Sequence, residues 1–186
     1  MSTVFVNKKI VTVLQGEFQL TTDPNVVLST VLGSCIAACI FDEKRGVGGM
    51  NHFLLAESNG GPASARYGVH AMELLINGVM KQGADRRHLQ AKVFGGAKMS
   101  VNLSDIGSKN ASFIQGFLRD EGIPCVSSSV GGTSARRVRF HPVSGAAQQT
   151  RVQNDQTLEN IERTVSRPTP APAAKPAAGT GDVMLF

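Results

Sequence analysis

A cysteine, a histidine and the hydroxyls just ahead of them lie close enough in this chain to do chemistry together. From Ser29 the sequence reads S-T-V-L-G-S-C-I-A-A-C-I-F-D-E-K-R-G-V-G-G-M-N-H, ending at His52. Cys35 follows Gly33-Ser34, a pair that permits a tight bend. Such a bend can expose a thiol and aim backbone N–H groups at a reacting oxygen, so Gly33, Ser34 and Cys35 are the oxyanion candidates. A thiol attacks as its thiolate and therefore needs a base or a cation beside it. His52 comes at the distance of a strand return, where it can take the proton or lower the thiol pKa by ion pairing. Without that partner Cys35 would read as a small buried hydrophobe and His52 as a satisfied strand histidine. Cys39, four residues after Cys35 inside an apolar run, reads as core, as does Cys125 in a predicted strand. His70, His88 and His141 have no comparable company.

The elements that must position this pair are legible around it. Val26 to Leu32 and Ile36 to Phe41 are aliphatic and β-branched with few polar residues, which suits central strands buried on both faces. Asp42 to Gly46 makes a polar connection, and Val47 to Leu55 is the returning strand that carries His52. Before them, Val4 to Leu20 alternates apolar and polar residues around Gly16, predicting one or two strands with a turn or bulge there. After them, Glu57 to Ala65 reads as a loop bordering the bend. Tyr67 to Met80 has the apolar spacing of an amphipathic helix closed by Gly83. Leu89 to Phe94 predicts a strand. A second helix runs from a cap at Ser108 through Glu121, with Phe113, Ile114, Phe117 and Leu118 on its apolar face. Ile123 to Val130 and Arg136 to Phe140 complete the strands.

The composition changes after about Ala147. Residues 1–147 are read as one domain and 148–186 as a polar, then Pro/Ala-rich, disordered tail with an apolar end, Asp182 to Phe186. That end is expected either to dock on a partner or to fold back on its own domain. The 186 residues are enough for a sizeable core, and the hydrophobic fraction of 41% suits a soluble globular protein. No apolar stretch is long enough to span a bilayer and no secretory h-region is visible, so a cytoplasmic location with reduced cysteines and no membrane insertion is expected. The formal charge is +5, with no tryptophan and one tyrosine. Basic residues are dispersed apart from Arg86-Arg87 and Arg136, Arg137 and Arg139, and aromatic residues for stacking beside those clusters are few, which favours an acidic protein surface over nucleic acid.

Other chemistries fit poorly. A zinc site would have to gather Cys35, Cys39, His52 and Cys125, yet the Cys-x3-Cys spacing falls in a strand rather than in a metal knuckle. The glycine pairs at 48–49, 60–61, 95–96 and 131–132 match neither the P-loop nor the dinucleotide fingerprint. No cofactor and no metal are expected.

The chain resembles the CheD family of chemoreceptor glutamine deamidases. The resemblance runs from about Val11 to Gly145. It is carried by Leu14-Gln-Gly-Glu17, Leu32-Gly-Ser-Cys-Ile-Ala37, Gly48-Gly-Met-Asn-His-Phe53 and Arg66-Tyr-Gly68. It continues through Lys92-Val-Phe-Gly-Gly-Ala97, Ile106-Gly-Ser-Lys-Asn110 and Gly131-Gly132 ahead of Arg136. It implies a cysteine hydrolase that converts glutamines of methyl-accepting chemotaxis receptors to glutamate with release of ammonia. It also implies a CheC-type phosphatase as a possible partner. The implied fold is an α/β layered sandwich of mostly antiparallel sheets with two main flanking helices, similar to the catalytic domain of cytotoxic necrotising factor toxins. The family's nucleophile falls on Cys35 and its histidine on His52. Its third member is a threonine six residues before the cysteine, where this chain has Ser29, with Thr30 beside it. Position favours Ser29. Thr30 serves only if the strand register differs, because neighbours in a strand point to opposite faces. The alternative reading is a non-catalytic adaptor that binds receptors or the phosphatase.

Overall fold

The computed structural model describes residues 3–55, 62–99 and 105–152. In chain order its strands and helices are β1 (Lys9–Thr12), β2 (Phe18–Thr21), β3 (Val26–Leu32), β4 (Ile36–Asp42), β5 (Val47–Phe53), α1 (Pro62–Lys81), β6 (Gln90–Gly95), α2 (Ile106–Asp120), β7 (Cys125–Val130), β8 (Arg136–His141) and β9 (Ala146–Arg151). They build a mixed α/β fold with two sheets, one in the order β1-β3-β8-β9 and the other β2-β5-β4-β6-β7. The pairs β1–β3 and β6–β7 are parallel. The pairs β2–β5, β3–β8, β4–β5, β4–β6 and β8–β9 are antiparallel.

Two apolar layers hold the molecule together, and β4 belongs to both. Ile36, Ala38 and Ile40 point toward the helices and pack with Met72, Leu75, Val79 and Ile114. Ala37, Cys39 and Phe41 point the other way, against Leu28, Leu32, Val138 and Phe140 of the four-stranded sheet. A strand covered on both faces has no polar side to display, so its sequence is continuously apolar instead of alternating. The order is therefore helices, five-stranded sheet, four-stranded sheet.

Several elements differ from the sequence expectation. Helix α1 begins at Pro62, ahead of the expected Tyr67. Proline is well suited to a first helical turn, where an N–H has no intrahelical acceptor to lose. The expected loop at Glu57–Ala65 thus gives its last residues to the helix, and 56–61 lie outside the described residues. Helix α2 begins at Ile106 with Asp105 at the cap position, so Ser108 is not the cap but lies within the first turn. Residues 148–151, expected in the polar tail, instead extend β9, which pairs with β8 up to Arg136↔Arg151. The remaining tail from 153 onward, including Asp182–Phe186, is outside the described residues. Cys125, expected in the core, is exposed on the edge strand β7.

Candidate active site

Three residues, Gly33 to Cys35, carry the chain from β3 in one sheet to β4 in the other. The bend therefore lies where the two sheets meet. Its carbonyls are anchored one by one: Gly33 O accepts from Ala97 N (2.8 Å) and Cys35 O from Gly96 N (2.8 Å). Ser34 O accepts from Asn110 Nδ2 at 2.9 Å. Asn110 is fully buried, and its Oδ1 accepts from Leu55 N at 2.9 Å, so one side chain of α2 ties the bend to the end of β5. The neighbouring backbone comes so close that a Cβ at Gly95, whose φ is +113°, would collide with Cys35 O. Only glycine satisfies both the space and the positive φ there.

Strand register brings the histidine to the cysteine. Ala37 pairs with His52 across β4 and β5. Cys35 lies two residues before Ala37 and projects from the same face, which makes it a diagonal neighbour of His52. That face looks toward the four-stranded sheet, and Cys35 is among the residues packed against it.

The structure brings Thr30, rather than Ser29, to His52. Thr30 Oγ1 is 2.8 Å from His52 Nδ1 and donates to Val13 O at 2.8 Å. Ser29 points to the other face of β3, where its Oγ donates to Val138 O at 3.0 Å. A hydroxyl has one proton, and the carbonyl of Val13 can only accept. The Thr30 proton therefore goes to Val13, and the proton shared with His52 must sit on Nδ1. His52 Nε2 is then the lone-pair nitrogen, and it is buried with no hydrogen-bond partner among the described residues. Burial pushes the His52 pKa down from 6.5 to about 4, outweighing a smaller upward pull from the Val13 carbonyl. At neutral pH the ring is an uncharged base. The standing imidazolium–thiolate pair anticipated from sequence is not the state this burial favours.

The segment between β1 and β2 covers this pair. Val13 N donates to Ser29 O (2.9 Å), Gly16 N to His52 O (2.7 Å) and His52 N to Glu17 O (3.0 Å). Cys35 is buried, and its Sγ donates to Gln15 Oε1 at 3.4 Å. Beside His52 a cleft of about 240 Å3 runs along α1, lined by Gly16, Phe18, Tyr67, His70 and Leu74 among others. Burial, and secondarily the charge of a Cys35 thiolate, raise the pKa of Tyr67, which lines this cleft.

Cys39 is fully buried and its pKa is strongly raised by desolvation, as suits an inert core thiol. Among the described residues no group of three or more His, Cys, Asp or Glu could hold a metal ion. Sequence reasoning missed Gln15, Tyr67 and Asn110 as neighbours of the site. All three fall inside motifs that carried the family resemblance, which was the available signal. No helix among the described residues is long and apolar enough to cross a membrane.

Comparison with known proteins gives the chain a family. A family model described as CheD chemotactic sensory transduction matches residues 54–151. A Ruegeria protein named "Probable chemoreceptor glutamine deamidase CheD 1" is 71% identical, with 100% of each chain covered. The Caulobacter vibrioides protein named "Probable chemoreceptor glutamine deamidase CheD" is 57% identical, covering 94% of this chain and 91% of that one. Among solved structures, the Bacillus licheniformis hypothetical protein YfiH overlaps at a TM-score of 0.41 with 14% identity, covering 67% of this chain and 60% of that one. With a cysteine at an anchored bend, a histidine on the paired strand and relatives matched end to end, the chain belongs to the CheD family.

Proposed function

We propose that this protein is a cysteine-dependent glutamine deamidase that converts side-chain carboxamides of methyl-accepting chemotaxis receptors to carboxylates. The observation that carries the reading is the Thr30–His52 contact, which leaves Nε2 as a lone-pair acceptor on the face shared with Cys35. Cys35 is the nucleophile, His52 the base and Thr30 the positioning residue. His52 Nε2 takes the thiol proton as sulfur attacks the carboxamide carbon. The oxyanion so formed is held by backbone N–H groups from among Gly33, Ser34 and Cys35; the anchored carbonyls of Gly33 and Ser34 fix the peptide planes that carry the N–H groups of Ser34 and Cys35. The imidazolium then gives its proton to the leaving nitrogen, ammonia departs and a thioester remains. His52 next draws a proton from water, which cleaves the thioester to glutamate and restores the thiol.

The receptor as substrate is supported by the names of the relatives. A protein substrate also suits the exposed apolar side chains of Leu14, Tyr67 and Leu74, which a free amide would not need. The cytoplasm as location, a CheC-type phosphatase as second partner and the likeness to the cytotoxic necrotising factor domain belong to the same proposal. So does a catalytic unit that now runs through β9, to Arg151.

Mass spectrometry of a receptor cytoplasmic fragment incubated with the protein tests the reading. Each converted glutamine gains about one dalton as amide nitrogen is replaced by oxygen. No gain with wild-type protein, together with intact receptor binding, would support the adaptor instead.

A further inference from the structure

Gln15 has no part in the chemistry just described, yet it touches the nucleophile. The backbone around it is pinned by the bonds of Val13, Gly16 and Glu17 to β3 and β5. Leu14 N is tied to Glu17 Oε2 as well, at 3.2 Å. With its backbone held, the half-buried Gln15 side chain is the part that can swing. It accepts the Cys35 thiol proton on Oε1 at 3.4 Å. A second observation fits with this one. The Nε2 of His52, the acceptor that a thiol proton needs, is buried with no hydrogen-bond partner among the described residues. Leaving such an atom unpaired is unfavourable, and it persists where a partner arrives in another state.

The group lying on the thiol is a primary carboxamide on a two-carbon stem. That is chemically the same group the proposed reaction consumes. We propose that the Gln15 side chain occupies the subsite of the substrate carboxamide, so that a receptor glutamine enters by displacing it. Displacement frees the thiol proton to turn to His52 Nε2 and completes the Cys35–His52–Thr30 line. The inference rests on the deamidase reading and adds to it the location of the carboxamide subsite, beneath residues 13–17. Gln15 is not itself consumed: its carbonyl oxygen receives the S–H, so sulfur stays protonated.

The test uses the full chain in the wild-type, Gln15→Ala and Gln15→Glu forms, each checked for an unchanged melting temperature. Iodoacetamide alkylation of Cys35 is followed by peptide-resolved mass spectrometry, which separates it from exposed Cys125. Ammonia release from a short glutamine peptide is measured in parallel. Gln15→Ala should alkylate Cys35 several-fold faster, up to about tenfold for one lost hydrogen bond, and lower KM without lowering kcat. Gln15→Glu should alkylate more slowly, because a carboxylate beside the thiol disfavours the thiolate. Gln15 of the wild type should keep its mass. An unchanged alkylation rate in Gln15→Ala, a raised KM, or Cys35-dependent conversion of Gln15 to Glu would each overturn the proposal. Ammonia release by the wild type bears on the deamidase reading alone, and alkylation, which needs no substrate, bears on Gln15.

Discussion

Two buried histidines in the same sandwich face opposite fates. His141, where β8 ends, has both ring nitrogens engaged: Nδ1 with Ser144 Oγ at 2.7 Å and Nε2 with Pro24 O at 2.9 Å. Because a carbonyl can only accept, His141 carries its proton on Nε2 and Nδ1 takes the Ser144 hydroxyl proton. His52 carries its proton on the other nitrogen, held by Thr30, and leaves Nε2 without a partner among the described residues. A fully bonded imidazole is a structural bracket. One bonded on a single side is oriented and still has a lone pair to use. Burial alone does not separate them, since His52 is 7% and His141 5% exposed. The unbonded nitrogen, on the face that also carries a thiol, does.

Removing the nucleophile should break the contrast most completely. Cys35→Ser is expected to cut ammonia release by as much as roughly a millionfold, because a neutral base suited to a thiol activates a hydroxyl poorly. Near wild-type turnover would remove Cys35 from the reading. His52→Ala should lower kcat by about 10²- to 10⁴-fold, the range of a general base. His141→Ala should instead leave kcat within about twofold and lower stability by about 1–3 kcal/mol through unpaired buried groups. Equal losses of turnover in the two variants would dissolve the distinction.

The pH dependence of stability sharpens it further. Folded His52 titrates at about 4 against an ordinary 6.5. Between those values the unfolded chain binds a proton that the folded chain refuses. Stability contributed by the neutral ring is thus full above pH 6.5 and is lost as pH falls toward 4, by about 3 kcal/mol. Denaturant melts of wild type and His52→Gln across that window isolate the effect from carboxylates common to both. Identical slopes would mean that the ring is not held neutral.

That Cys35 and His52 share a face was legible in the sequence because a hairpin has arithmetic. Once Asp42 and Val47 close the turn, Ala37 must meet His52, and parity puts Cys35 on that same face. The apolar run of β4 announced burial on both sides. What sequence left open were facts about neighbours distant along the chain. Cys125 lies in a strand as expected, but among the described strands β7 has a neighbour on one side alone, β6, and nothing in C-V-S-S-S-V says that it is an edge. Strand β9 reads A-A-Q-Q-T-R, too polar to stand out from a tail, because its residues from Gln148 on are exposed. Gln15 meets Cys35 across a gap of 20 residues that no local periodicity spans.

The choice between Ser29 and Thr30 gives the smallest effect and the finest test. Counting back from Cys35 favours Ser29, but counting assumes that the residues between keep one strand register through the bend. The sandwich decides by face instead. Ser29 bonds to Val138 O of the adjacent strand, whereas Thr30 reaches across the inter-sheet layer to His52 and bonds to Val13 O just past β1. Thr30→Ala removes the nearer of the two acceptors of the Nδ1 proton and leaves the Val13 carbonyl at 3.5 Å, so a fraction of the rings will carry the proton on Nε2, where it blocks the thiol. The expected loss is about fivefold to tenfold in kcat, the value of one hydrogen bond of roughly 1 kcal/mol or slightly more, with KM little changed. Thr30→Ser should restore most of it, since the hydroxyl is what acts. Ser29→Ala should change stability by about 1 kcal/mol and kcat not at all. A structural role for Thr30 would lower stability without shifting the pH profile of kcat, whereas loss of the Nδ1–H tautomer shifts that profile. Nitrogen-15 chemical shifts of His52 read the tautomer directly. A ring that stays Nδ1–H in Thr30→Ala, with unchanged kcat, would reduce the site to a Cys35–His52 dyad.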